Sequence, residues 1–226
     1  MYLTVTARKG ISSLQLSKEI GVTQKTAWFL LSRIRKACGN QRKKILSGIV
    51  EIDETYIGGT EENRHASKKL RLGRGPIGKV AIVGLRERKG QVIAKIAKST
   101  DSATLQGAVL NNVEPGSTVC TDDHRSYIGL NATFTHHSVN HSAKQFVEGM
   151  AHTNGIESVW AVMKRGFYGT YHSFSEKHIH LYVDEFVYRL NEGNCAINTT
   201  DRLRSLVKGM QGQRLTWKTL VHGKPA

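Results

Sequence analysis

The sequence predicts an α/β fold in which a mixed β-sheet is flanked by helices and preceded by a small helix-turn-helix. Three observations support this prediction. Residues 14–37 have the periodicity of two helices, residues 48–98 contain three strand-like segments, and strand and helix patterns alternate afterwards. Consecutive strands followed by helices favour a sheet with helices packed on its faces. We therefore predict two parts, a helix-turn-helix segment at residues 1–46 and a larger domain at residues 47–226.

The N-terminal part contains two predicted helices that are broken at Gly21. Thr23 is the predicted N-cap of the second helix. The predicted inner face of that helix is formed by four apolar residues, Ala27, Leu30, Leu31 and Ile34. In a helix-turn-helix, the second helix enters the major groove with its first turn facing the bases. Gln24 and Lys25, with Thr26 beside them, are therefore the candidate DNA-reading residues.

Positive charge is concentrated in the same part of the chain. The formal net charge of the protein is +15, and residues 1–46 hold ten Lys or Arg against a single acid, Glu19. Such an excess is typical of proteins that bind polyanions by neutralising phosphates. It favours nucleic acid as the partner.

Composition argues against several other classes of protein. The longest apolar runs, "KVAIVGL" and "TAWFLL", are far shorter than the roughly 20 residues that span a bilayer, and the N-terminus does not have the pattern of a signal peptide. The three cysteines are far apart and contain no CxxC pair, which argues against a disulfide framework and a zinc ribbon. We expect a cytoplasmic protein with no membrane partner.

The larger domain begins with three strands, "GIVEIDETYIGG", "KVAIVGLRER" and "QVIAKIAK", of which the last two are joined by a turn. A helix, "SATLQGAVLNNV", a strand, "STVCTDD", and further helices follow. The stretch between the first two strands, residues 60–78, is rich in glycine and basic residues. A basic loop of this kind suggests a nucleic-acid clamp, so Lys68, Lys69 and Arg71 are candidate DNA contacts.

Two aspartates stand in unfavourable positions within the predicted strands. Asp53 lies in the middle of an apolar strand, and Asp122 ends another. A half-buried aspartate in a strand is unfavourable unless a partner compensates its charge. Mg²⁺ or Mn²⁺, which prefer hard oxygen ligands, are such partners. With a third acid, Glu157, the two aspartates could hold two ions about 3.5 to 4 Å apart, the arrangement used for phosphoryl transfer.

Residues 152–166, "HTNGIESVWAVMKRG", predict an amphipathic helix. Its apolar stripe is formed by Ile156, Trp160, Met163 and Phe167. Glu157 and Lys164 are seven residues apart, about two turns, and lie on a neighbouring strip with Asn154. Taken alone, this strip is more typical of a solvated polar edge than of a functional site.

Three further acids lie near the candidates. Glu54 and Asp123 directly follow Asp53 and Asp122, and the alternation of side chains along a strand predicts that they point away from the site. Glu51 shares the face of Asp53 and could assist the site, but we expect it instead to form a salt bridge with the basic loop.

In this order, "VEIDETYIGG", "TDDHRSY" and "HTNGIESVWAVMKRG" resemble the catalytic domain of DDE transposases from bacterial insertion sequences, in particular the ISXO-like group. The last segment also resembles the "NPIE..W..LK" helix of mariner-type enzymes. Between Asp122 and Glu157 there are 34 residues, a spacing similar to theirs. The resemblance extends from about residue 10 to residue 221.

The resemblance implies a ribonuclease H-like catalytic domain with Asp53, Asp122 and Glu157 as catalytic metal ligands and two Mg²⁺ or Mn²⁺ ions per site. Asn154 is an alternative third ligand, because some relatives have asparagine there. Lys164 and Arg165 are expected to contact DNA. The implied partners are double-stranded element ends and target DNA, bound by a homo-oligomer.

One feature departs from the resemblance. Relatives of this group usually begin with a zinc ribbon, and no cysteine cluster precedes the predicted helix-turn-helix. A truncated, inactive DNA-binding remnant or regulator is therefore an alternative. A nuclease of the ribonuclease H-like superfamily, which would cut DNA without joining strands, is another.

Overall fold

The computed structural model describes residues 1–7, 9–40, 45–58, 78–139, 152–173, 175–193 and 196–223. The chain divides into two compact units: Lys43–Lys164, and Met1–Arg42 together with Arg165–Ala226. The functional boundary at residue 46 stays a prediction. Three candidate DNA contacts, Lys68, Lys69 and Arg71, lie outside the described residues.

The described residues form helices in both units and strands in the Lys43–Lys164 unit. The helices are α1 (Tyr2–Thr6), α2 (Ser13–Ile20), α3 (Gln24–Gly39), α4 (Ser102–Leu110), α5 (Asn154–Gly166), α6 (Ile179–Glu192), α7 (Thr199–Met210) and α8 (Trp217–His222). The strands are β1 (Ile49–Ile57), β2 (Val80–Glu87), β3 (Val92–Ala97), β4 (Thr118–Asp122) and β5 (Thr135–Val139). Among these residues, no helix is long and apolar enough to cross a bilayer.

The five strands form one mixed sheet in the order β3-β2-β1-β4-β5. The first three strands are an antiparallel meander, whereas β4 pairs in parallel with both β1 and β5. The predicted mixed sheet with flanking helices is confirmed. This strand order and these directions are those of a ribonuclease H-like sheet.

The two faces of the sheet are covered by different helices. Val50 and Ile52 of β1 belong to the core cluster that contains the apolar side chains of α4. On the other face, Trp160 of α5 lies so close to Gly84 of β2 that a Cβ at Gly84 would be 2.4 Å from the indole ring. Asp53 pairs with Gly84 across β1 and β2. The face that carries Asp53 is therefore the one covered by α5, because paired residues of antiparallel strands share a face.

In the other unit, the two predicted N-terminal helices are confirmed. α2 ends at Gly21, whose φ of 67° places it in the left-handed region that glycine adopts without strain. Thr23 is the N-cap of α3, as predicted, because its side chain accepts a hydrogen bond from the Thr26 N–H at 3.2 Å. The predicted inner face of α3 is buried or half-buried: Ala27, Leu30, Leu31 and Ile34. DNA binding by this pair of helices stays a prediction.

A buried ion network joins α3 and α6 in this unit. Arg35 is 1% exposed and Glu185 is fully buried. The Arg35 Nε atom lies 2.6 Å from Glu185 Oε2, and Arg189 pairs with the other carboxylate oxygen. The Arg35 guanidinium also lies 4.0 Å from the centre of the Tyr182 ring. This carboxylate is therefore neutralised by residues of its own unit.

Candidate active site

Two aspartates lie side by side at the carboxyl ends of neighbouring parallel strands. β1 and β4 pair as far as Glu51 and Cys120. Asp53 and Asp122 each follow two residues later in their own strand, so they lie at the same level of the sheet and on the same face. The two aspartates that the sequence indicates are thus brought together by the register of β1 and β4.

A third carboxylate joins them. Asp53, Glu54 and Asp122 each offer an oxygen that lies within 4.8 Å of the other two. We refer to these three residues as the acidic cluster. The expectation that Glu54 points away from the site is wrong. Its backbone position does face α4, but β4 no longer pairs with β1 beyond Glu51, and the longer glutamate side chain reaches the cluster past this open edge. Asp123 is exposed and outside the cluster.

Burial and like charges act together on the acidic cluster. The pKa of Asp53 is raised to about 6, mainly by burial and further by the charges of Asp122 and Glu157. The pKa of Glu54 is raised to about 7, again mainly by burial, while the neighbouring Tyr127 hydroxyl lowers it. Within the described residues, no Lys or Arg forms an ion pair with the cluster. The negative charge of the cluster is therefore not compensated by these residues.

The cluster fits a divalent cation. Its donors are all carboxylate oxygens, which suit Mg²⁺ and Mn²⁺ and do not suit soft metals. A bound cation would favour the charged form of each carboxylate and so offset the effect of burial.

Helix α5 places the two candidates for the third ligand at its first turn. Glu157 and Asn154 are both exposed. The Trp160 indole N–H donates to Asp53 Oδ2 at 2.9 Å, which ties the helix to β1. The Thr153 hydroxyl donates to Glu157 Oε1 at 3.1 Å. Glu157 is near enough to raise the pKa of Asp53, but it is outside the acidic cluster, and its role as a ligand stays a prediction. The apolar stripe predicted for this segment is buried: Ile156, Trp160, Met163 and Phe167.

The candidate DNA contacts within the described residues lie on the surface of their units. Gln24 and Lys25 at the start of α3, and Lys164 and Arg165 near the end of α5, are exposed. The Lys25 ammonium lies 4.7 Å from the centre of the Trp217 ring, a cation–π contact that steadies its position. No local pattern predicts this contact, because it joins residues nearly two hundred positions apart.

The chain is similar to several known proteins. One chain of the solved complex of a simian T-cell lymphotropic virus intasome with PP2A regulatory subunit B56 gamma is 15% identical, with a TM-score of 0.40 over 96% of this chain and 74% of that one. The Mos1 strand transfer complex is 14% identical, with a TM-score of 0.37 over 94% of this chain and 73% of that one.

Sequence comparison identifies the family. An uncharacterized transposase-like protein of Haemophilus influenzae is 33% identical over 122 residues, which are 54% of this chain and 97% of that protein. The ISXO2-like transposase domain matches residues 45–191. The matched range contains all three residues of the acidic cluster and both third-ligand candidates. The protein therefore belongs to the ISXO2-like transposase domain family.

Proposed function

We propose that this protein is an active DDE transposase that cleaves the ends of an insertion sequence and joins them to target DNA. The acidic cluster carries this proposal. It gathers three partly buried carboxylates, with no Lys or Arg ion pair from the described part of the chain, at the ends of β1 and β4, in a chain of the transposase family. A basic protein that is to act on phosphates gains nothing from such a group unless cations offset the repulsion between the carboxylates and DNA.

The proposed reaction consists of two phosphoryl transfers. In the first, a water oxygen forms a bond to the phosphorus at an element end, the bond to the 3′ oxygen breaks, and that oxygen takes up a proton while the water loses one. In the second, the freed 3′-hydroxyl oxygen bonds to a target phosphorus and releases its proton. The 3′ oxygen of the target strand leaves and is protonated. Both steps conserve oxidation state.

The protein supplies ligands and orientation. Asp53 and Asp122 would hold the metal ions, with Glu157 or Asn154 as the third ligand. When bound, two Mg²⁺ or Mn²⁺ ions supply charge stabilisation for the attacking and leaving oxygens. Trp160 holds one oxygen of Asp53 by its 2.9 Å hydrogen bond, so the side chain keeps one orientation.

DNA binding is proposed for the exposed basic residues. Gln24 and Lys25 would contact DNA from the start of α3, with Lys25 presented on the Trp217 ring. Lys164 and Arg165 would contact phosphate near the acidic cluster. The remaining proposed contacts are in the basic loop, Lys68, Lys69 and Arg71. Because two element ends must be processed together, we propose a homo-oligomer assembled on DNA.

The test is cleavage of a DNA duplex that carries the end of the protein's own element, with Mg²⁺ or Mn²⁺ supplied. Asp122→Asn should abolish cleavage while DNA affinity is kept. Asp123→Asn is the matched control and should cleave normally. It removes the same charge from the next residue, whose side chain is exposed. Comparing Glu157→Gln with Asn154→Ala then identifies the third ligand as the one whose loss abolishes cleavage.

Two outcomes would contradict the proposal. A parent protein that binds the DNA but cleaves it with neither metal is an inactive DNA-binding remnant or regulator. A protein that cleaves ends but does not join pre-nicked ends to a target is a nuclease of the same superfamily.

A further inference from the structure

Glu51 is a buried acid that the proposed chemistry does not use. It is 1% exposed, and its two carboxylate oxygens have different partners. Oε1 lies 2.9 Å from Arg88 Nε and 3.3 Å from His152 Nδ1. Oε2 accepts a hydrogen bond from the Ile156 backbone N–H at 2.9 Å. Glu51 therefore binds a free N–H in the first turn of α5, where a negative charge is also favoured by the helix dipole.

Two arginines near the end of β2 donate hydrogen bonds to backbone carbonyl oxygens at the start of α5. Arg86 donates to the Gly155 carbonyl oxygen, and Arg88 Nη2 donates to the His152 carbonyl oxygen at 3.1 Å. The Glu51 carboxylate lies so close to Gly155 that a Cβ there would be 2.4 Å from Oε2. Any side chain at this position would displace the carboxylate or the helix.

We propose that Glu51, with Arg86 and Arg88, is a positioning device that fixes the start of α5 so that Glu157 is held beside Asp53. We call these three residues the helix-start clamp. They contact neither DNA nor metal in this scheme and act only through α5. An effect of the clamp on cleavage rests on the proposed function. Its effect on the position of α5 does not depend on that function.

The direction of the contacts distinguishes positioning from general stabilisation. A buried charge network is often no more stabilising than apolar residues of the same volume. An apolar side chain could cover α5 equally well, but it would not specify which backbone groups of the helix start face β1. Glu51 and Asp53 lie two residues apart on one face of β1 and bind the backbone N–H of Ile156 and the indole N–H of Trp160. Helix α5 is thus hydrogen-bonded to β1 at two points along the strand.

The Trp160 indole N–H is a direct reporter of this placement, because it donates to Asp53. We would label the three tryptophans with ¹⁵N, assign the Trp160 signal with Trp160→Phe, and record spectra well below the unfolding temperature. Glu51→Gln and Gly155→Ala should both shift the Trp160 indole signal and speed its hydrogen exchange. Gly107→Ala is the matched control, since a Cβ on this α4 glycine meets nothing within 4 Å, and it should leave the signal in place.

Two results separate the clamp from a merely structural role. If Glu51→Gln and Gly155→Ala lower the unfolding temperature but leave the Trp160 signal unchanged, the inference is overturned. If the signal moves, cleavage by both variants should fall about 10- to 100-fold, the usual cost of losing a group that orients metal ligands, with unchanged DNA affinity.

Failure of the proposed function is detected separately. Mn²⁺ added to the parent protein should broaden the Trp160 indole signal, because the Trp160 indole N–H donates a hydrogen bond to Asp53, a proposed metal ligand. A parent signal that Mn²⁺ does not affect contradicts the metal site, whereas the response of the same signal to Glu51→Gln still decides the clamp.

Discussion

Glu185 and the acidic cluster show two ways of placing carboxylates inside this protein. Glu185 is fully buried and is paired with Arg35 and Arg189 of its own unit. The acidic cluster has no such partner within the described residues, and burial raises the pKa of Asp53 to about 6. Glu185 is neutralised by arginines of the same unit. The protonation of the acidic cluster depends instead on whether a cation binds to it.

The difference is informative because basic residues are plentiful. The chain has 33 Lys or Arg and only 18 Asp or Glu, so basic side chains outnumber acidic ones. Glu51 and Asp53 stand two residues apart on one strand, and within the described residues Glu51 has an arginine partner whereas Asp53 has none. This contrast supports the proposal that a cation from solution binds the acidic cluster.

The largest expected effect is a loss of stability when Glu185 is replaced. Glu185→Gln leaves Arg35 and Arg189 buried with an uncompensated charge, and we expect a loss of about 3 to 5 kcal/mol in the free energy of unfolding. Urea denaturation measures this loss. Arg204→Gln, which removes an exposed ion pair with Asp201, is the control and should cost under about 1 kcal/mol. Similar small losses in both variants would show that the network is not what holds α3 to α6.

The opposite sign is expected in the acidic cluster. In the metal-free protein, Asp53→Asn removes one of three mutually repelling carboxylates while the Trp160 hydrogen bond can be kept. We expect a gain of about 1 to 3 kcal/mol in the free energy of unfolding at pH 8, since one pKa unit corresponds to about 1.4 kcal/mol. The measurement is urea denaturation in the presence of a chelator. A loss of stability would mean that the cluster is compensated without metal.

Asp184 extends the comparison to a half-buried acid next to Glu185, in the unit formed by Met1–Arg42 and Arg165–Ala226. Burial raises its pKa to about 6, so the folded state favours the protonated form. Stability contributed by this group is present below its unfolded pKa near 4 and is lost as the pH rises through about 6. Asp184→Asn should therefore be about 1 to 2 kcal/mol more stable than the parent at pH 8 and equal to it at pH 4. A difference that does not change between these pH values would contradict this assignment.

The smallest expected effect concerns DNA binding. If Lys25 binds a phosphate, Lys25→Gln should reduce the slope of log affinity against log salt concentration by about 1 and weaken binding to all sequences alike. Fluorescence anisotropy at several salt concentrations measures the slope. Lys18→Gln, which removes an exposed charge from α2, is the control. A change in sequence preference with an unchanged slope would make Lys25 a base-reading residue.

Local patterns in the sequence were sufficient for much of the fold. The N-cap Thr23 and the break at Gly21 follow from short-range chemistry, and the structure confirms both. The strand patterns also predicted that Asp53 and Asp122 need a partner, because an aspartate in an apolar strand is costly wherever the strand packs.

The features that the sequence did not predict depend on contacts between distant segments. Glu54 joins the acidic cluster at a point where β1 and β4 no longer pair, and strand alternation does not contain that information. The pairing of Glu51 with Arg88 likewise depends on how β2 returns along β1. Trp217 gave no periodic signal, since its contact with Lys25 comes from the packing of a short helix on α3.

The most direct test of the central claim is titration of the metal-free protein with Mn²⁺ by calorimetry. We predict saturable binding by the parent and by Asp123→Asn, and loss of that binding in Asp53→Asn and Asp122→Asn. Equal binding by all four proteins, or no saturable binding by the parent, would contradict the claim that the acidic cluster is completed by a divalent cation.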